Sequence, residues 1–186
     1  MAEKKPARTK KARGAGRDRQ ERPRGRARSA PSAGRSAADA ANAWRQRVSR
    51  DAAATIDTLM AHVQAVAEEQ LGRHGAFPAF LVTARKDGEY ELDTLDPGET
   101  AELAPEAVLA ALRALAVERR DELVCAGVAF PATLPDRQAQ EAVVVETEHR
   151  EGAALTVVQP YRVKGAERTV GFGDAVAEPA GRWLWA

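Results

Sequence analysis

Trp44, Val48, Ala52, Ile56, Leu59, Val63, Val66 and Gln70 follow one another at steps of 4, 4, 4, 3, 4, 3 and 4 residues. Seven of the eight are apolar, so they draw a stripe down one face of a helix. The spacing predicts a helix from about Ala37 to Leu71–Gly72, with Asp39 or Asn42 as its N-cap. A stripe this long has to be covered by a second layer. Residues 1–36 cannot supply that layer, because they contain no Val, Ile, Leu, Phe, Trp or Tyr.

Those 36 residues hold 13 Lys/Arg against Glu3, Asp18 and Glu21, whereas the remaining 150 hold 15 Lys/Arg against 24 Asp/Glu. The net charge of +1 therefore divides into +10 and −9. With no apolar side chains to offset ordering entropy, residues 1–36 read as a disordered basic tail and linker. Residues 37–186 read as a single domain.

The cover for the stripe comes from strands. Ala79–Ala84 reads as a strand, Asp87-Gly88 as a hairpin turn, and Glu89–Leu95 as the return strand. In that strand Tyr90, Leu92 and Thr94 alternate with Glu89, Glu91 and Asp93, which predicts one packed and one wet face. Asp96-Pro97-Gly98 closes the hairpin. A second helix starts near Pro105, with Val108, Leu112, Leu115 and Arg119 on one face and the Arg119-Arg120 pair at its negative end. Strands follow at Leu123–Phe130, Gln140–His149, Ala153–Tyr161 and a short Arg168–Gly173, with Pro131–Gln138 as a polar connector. Trp183 and Trp185 are expected to fold back on the body.

The order α-β-β-α-β-β-β, with a possible final β, has hairpins and no regular βα alternation. It predicts an α+β fold, a mostly antiparallel sheet with two helices packed on it. This order resembles that of profilin-like and roadblock-type scaffolds, a likeness of topology that implies a layout and no activity.

The stretch E-T-E-H-R-E-G, Glu146 to Gly152, concentrates three carboxylates, an imidazole and a guanidinium in seven residues. A three-residue connection, Arg150-Glu151-Gly152, with glycine in the left-handed position sets Val145 opposite Val157, Thr147 opposite Leu155 and His149 opposite Ala153. Alternation then puts Val143, Val145, Leu155 and Val157 on one face with His149 at its rim, and turns Glu146 and Glu148 the other way. His149, Arg150 and Glu151 at this tip are candidate ligand or partner contacts; the competing account is a charged turn. Tyr161 and Arg162, after Pro160, are further candidates, since proline demotes a strand to an edge or ends it; the competing account is a strand terminus with Tyr161 covering the core.

No metal site is expected. His62, His74 and His149 lack any metal-ligand spacing, and a His62/Glu69 pair would supply only two ligands. Cys125 lies in an apolar run and reads as a buried, inert thiol. Gly171-x-Gly173 is far short of a dinucleotide or phosphate loop, so no cofactor is expected. One cysteine and no apolar run of roughly 20 residues point to a cytoplasmic protein outside the membrane. No apolar region of roughly 7–15 residues follows the basic N-terminus, which argues against a signal peptide.

Three functions follow in order. The first is a non-enzymatic interaction module, an acidic body that binds a protein partner and carries a basic arm. The second is nucleic-acid association, in which Lys4, Lys5, Arg8, Lys10, Lys11, Arg13, Arg17, Arg19, Arg22, Arg24, Arg26 and Arg28 contact RNA or DNA phosphates without sequence preference. The third is a small enzyme whose polar groups at His149, Arg150, Glu151, Tyr161 and Arg162 converge at one sheet end.

Overall fold

The computed structural model describes residues 42–135 and 139–186. The elements are a 3₁₀ turn (Ala43–Arg47), α1 (Arg50–His74), β1 (Phe80–Arg85), β2 (Tyr90–Asp93), α2 (Pro97–Thr100), α3 (Pro105–Glu118), β3 (Leu123–Leu134), β4 (Gln140–His149), β5 (Ala154–Lys164), β6 (Thr169–Phe172) and β7 (Val176–Pro179). The fold is α+β, and every strand pairing is antiparallel. The sheet runs β2-β1-β3-β4-β5-β6, with β7 also paired to β5. The basic tail, its boundary at residue 36 and the Asp39 cap lie outside the described residues.

The long stripe is buried, but the helix beneath it is broken. Ser49 has an extended backbone and its Oγ accepts a hydrogen bond from the Ala52 N–H at 3.0 Å, so α1 begins at Arg50. A serine hydroxyl competes for backbone donors and favours a cap over a helix interior. Trp44 still reaches the core from the 3₁₀ turn, which the Arg45–Asp57 ion pair ties to α1. Ile56, Leu59, Val63, Ala67 and Leu71 complete the buried face, with Val66 half-buried beside it. Gly75, at φ 76°, closes the helix by donating its N–H to the Leu71 carbonyl.

This helix covers one face of the sheet. Phe80, Val82, Cys125, Ala129, Val143, Val145, Leu155 and Val157 pack there. The predicted register of the β4–β5 hairpin is the one formed, with Val145 opposite Val157 and Thr147 opposite Leu155. Gly152 sits at φ 100°, and the β1–β2 turn has the same design, with Gly88 at φ 92°.

Four expectations are corrected. In β2, Leu92 is 50% exposed, while Glu91 and Asp93 are half-buried. The alternation is present, but β2 is the edge strand and α1 reaches only as far as Tyr90. Glu91 and Asp93 turn to the opposite face, where Arg119 bonds both and Arg85 bonds Glu91. Second, β3 continues through Pro131 to Leu134, where a connector was expected. Third, the turn after β2 contains the short helix α2, capped by Asp96 accepting from Gly98 N–H at 2.7 Å.

Fourth, Pro160 neither ends β5 nor lies at an edge. It pairs with Ala142 of β4, and its carbonyl accepts from Gly173 N–H. In a strand, one residue's N–H and C=O point to the same side. The missing donor therefore faces the place where β7, ending opposite Val158, gives way to β6, starting opposite Tyr161. No ladder bond is lost there.

The opposite face of the sheet is also covered. Leu81, Ala126 and Val128 meet Leu112 and Ala116 of α3 and Leu184 from the segment after β7. Trp183 and Trp185 pack at the margin of this cluster, as expected.

Candidate functional site

The five candidate contact residues fall into two groups at opposite ends of the β4–β5 ladder. Tyr161 follows Pro160, which pairs with Ala142; His149 lies seven residues along β4, roughly 23 Å away. The expected convergence into one site does not occur. The cations from Lys4 to Arg28 lie outside the described residues.

At the hairpin tip, His149 is 4% exposed. Its Nδ1 accepts the Glu151 N–H at 3.2 Å, which leaves the ring proton on Nε2 in the neutral form. Burial pulls its pKa down, and Arg150 adds to this while Glu151 opposes it. Glu151 accepts from Ser49 N–H and Oγ, so the tip is bound to the start of α1 and its carboxyl is held below the usual range. Arg150 is exposed. These are the contacts of a turn docked on a helix cap.

Tyr161 is 7% exposed and packs against the rings of Phe77 and Phe172. Burial, then the Glu141 carboxylate, pushes its phenol up. Arg162 and Lys164 stand exposed beside it on the rim of a concavity of about 630 Å³. Cys125 is fully buried, and burial pushes its thiol up to about 12, so it is protonated at neutral pH.

Two features escaped sequence reasoning. The first is Glu148, 0% exposed on the α3 face of β4. Its Oε2 accepts the N–H groups of Trp183 and Leu184, both at 2.7 Å. Its Oε1 accepts Arg182 Nε at 2.7 Å and Trp185 N–H at 3.2 Å. Burial alone would raise this carboxyl, but the Leu184 N–H, Arg182 and the Trp183 and Trp185 N–H groups together hold it below its ordinary value. Three consecutive backbone donors form a small anion nest around a protein carboxylate. Sequence carries no trace of it, because the donors are main-chain groups 35 to 37 residues away.

The second feature is the open side of β2. The Arg85 N–H donates to the Glu89 carbonyl, which fixes the bonded phase of the β1–β2 ladder. Thr83–Glu91 and Leu81–Asp93 are then the bonded pairs, and Tyr90 and Leu92 aim their N–H and C=O groups away from β1. Among the described residues no strand takes them up. Leu92 is exposed on this same edge. Residues 87–112 also carry eight carboxylates and no Lys or Arg. Arg85 and Arg119 answer only Asp87, Glu91 and Asp93 of these; Glu89, Asp96, Glu99, Glu102 and Glu106 are exposed. A count of charges along that window finds this acidic stretch.

Comparison with protein-family models, curated proteins and solved structures finds no match to this chain. Among the described residues, no helix is long and apolar enough to cross a membrane, and no three His, Cys, Asp or Glu side chains gather as a metal set.

Proposed function

We propose that this protein is an interaction module that binds a protein partner by adding an extended segment to the free edge of β2. The observation that carries the reading is the outward-facing backbone of Tyr90 and Leu92, with the Leu92 side chain exposed on the same strand. An open edge is a template for another strand: main-chain bonds supply affinity and alternate side chains supply selectivity. Exposed Glu89 and Asp96 near the two ends of β2 disfavour an acidic segment and favour one rich in Lys or Arg. The compartment proposed is the cytoplasm, in keeping with a single cysteine held as a buried thiol.

The test uses the full chain as bait with Leu92→Lys, and Val163→Lys as a control at an exposed valine on β5. Proteins recovered by the wild type and the control are expected to be lost with Leu92→Lys. Equal recovery by all three baits sinks the reading.

A second reading rests on the thirteen cations of residues 1–36. Sequence-independent binding to RNA or DNA through about five phosphates predicts a log–log salt slope near −4.5 for duplex DNA. Equal affinity with and without residues 1–36 removes it.

A further inference from the structure

The segment after β7 is held like a ligand. Residues 182–185 form no helix or strand, yet Leu184 is 2% exposed between α3 and the sheet. Three of the four hydrogen bonds to Glu148 come from backbone N–H groups that any polypeptide offers. The side chains add Arg182, which bonds Glu148, the buried anchor Leu184 two residues later, and the rings of Trp183 and Trp185 at the margin of the cluster. The fit is also incomplete, since the Trp183 Nε1 is buried without an acceptor among the described residues.

The residues before the segment suit a hinge. Ala180 N–H bonds the Ala154 carbonyl and ends the β7 pairing, and Gly181 is exposed with no atom near its missing Cβ. A short segment released there uncovers Glu148 and the apolar cluster of Leu81, Leu112, Leu123 and Val128 together. Glu148 then loses all four of these hydrogen bonds, and the cluster keeps α3 but loses the cover of Leu184.

We propose that the groove between α3 and the sheet is a docking site for the Arg182–Trp185 segment of a second copy of this chain, with the chain's own segment as its resident occupant. A second copy is the occupant chosen because it carries a segment whose fit is already on display, and exchange of identical elements makes new contacts only at the hinge.

The test separates groove from segment. Leu184→Ala weakens the resident segment and leaves Glu148 and the groove intact. Glu148→Gln spoils the groove and leaves its own segment intact and released. Each variant alone is expected to sediment as a monomer, and their mixture at high concentration as a one-to-one heterodimer. Leu184→Ala should also take up the peptide Gly-Arg-Trp-Leu-Trp-Ala at least roughly 30-fold more tightly than the wild type, from the loss of one buried leucine anchor. Monomers in the mixture, with both variants folded by circular dichroism, overturn the proposal. Peptide uptake by Leu184→Ala without a heterodimer assigns the groove to another polypeptide and overturns the choice of a second copy.

If either variant fails to fold, amide exchange on the wild-type chain decides. The N–H groups of residues 183–185 are expected to exchange by local release, faster than those of Val128 and Val145. Exchange at the same rate as these core amides makes the segment integral to the fold and overturns the proposal.

Discussion

The two faces of the sheet are closed in different ways. On one, α1 lays down a continuous apolar row in which Ile56, Leu59, Val63, Ala67 and Leu71 meet the valines of β4 and β5. On the other, α3 covers only part of the sheet with Leu112 and Ala116. The rest is closed by the segment 182–185, which a buried carboxylate fixes in place. Apolar burial is non-directional and forgiving, whereas a buried charge is tolerated only if its bonds are all made. The first face therefore degrades gradually when altered, and the second is all-or-none.

That contrast breaks most easily at Glu148. Glu148→Ala leaves three backbone N–H groups and Arg182 unanswered, with an expected cost of about 3–5 kcal/mol by urea unfolding. The tryptophan signals of Trp183 and Trp185 should lose their fixed environment at the same time. A cost below about 1 kcal/mol would show that the clamp does not hold its face. Leu59→Ala on the α1 face should cost about 2–5 kcal/mol and leave the environments of Trp183 and Trp185 unchanged. A loss of those signals in this variant would mean that the two faces are not separately held.

Gly127 sharpens the comparison on the α1 side. A Cβ there would lie 2.8 Å from Leu59 Cδ2 and 3.2 Å from Val145 Cγ1. Because the nearest atom ends a flexible side chain, Gly127→Ala is expected to cost about 1–3 kcal/mol, less than a cavity in the same core. A larger loss than that of Leu59→Ala would show a face as unforgiving as the other.

Legibility in the sequence follows the same divide. The α1 stripe, the β4–β5 register and the buried Cys125 all rest on periodicity or on a glycine-marked turn, which local sequence encodes. Ser49 was readable as a cap, yet the 4-residue step from Val48 to Ala52 ran over it. The faces of β2 were misassigned because edge position, and the reach of α1, decide which side of an alternating strand is covered. For Glu148, alternation gives only that it turns away from the face of His149. Its partners are backbone groups brought in by the chain's return, and no residue pattern announces them. Tyr161 is buried, as the account in which it covers the core expects, although its partner Phe77 comes from the loop after α1.

The most direct test of a face held shut by charge is the titration of Glu148 itself, followed by its side-chain carboxyl ¹³C shift together with tryptophan emission. Its folded pKa is depressed, so its contribution to stability is present above the unfolded value of about 4.3 and is lost as pH falls through the folded value. Depression of the His149 pKa acts in the same direction at higher pH, below about 6.5. The account predicts that Glu148 stays ionised below pH of about 4.3 and that tryptophan emission shifts where it finally protonates. Protonation at or above that value, with tryptophan emission unchanged through it, would contradict the account.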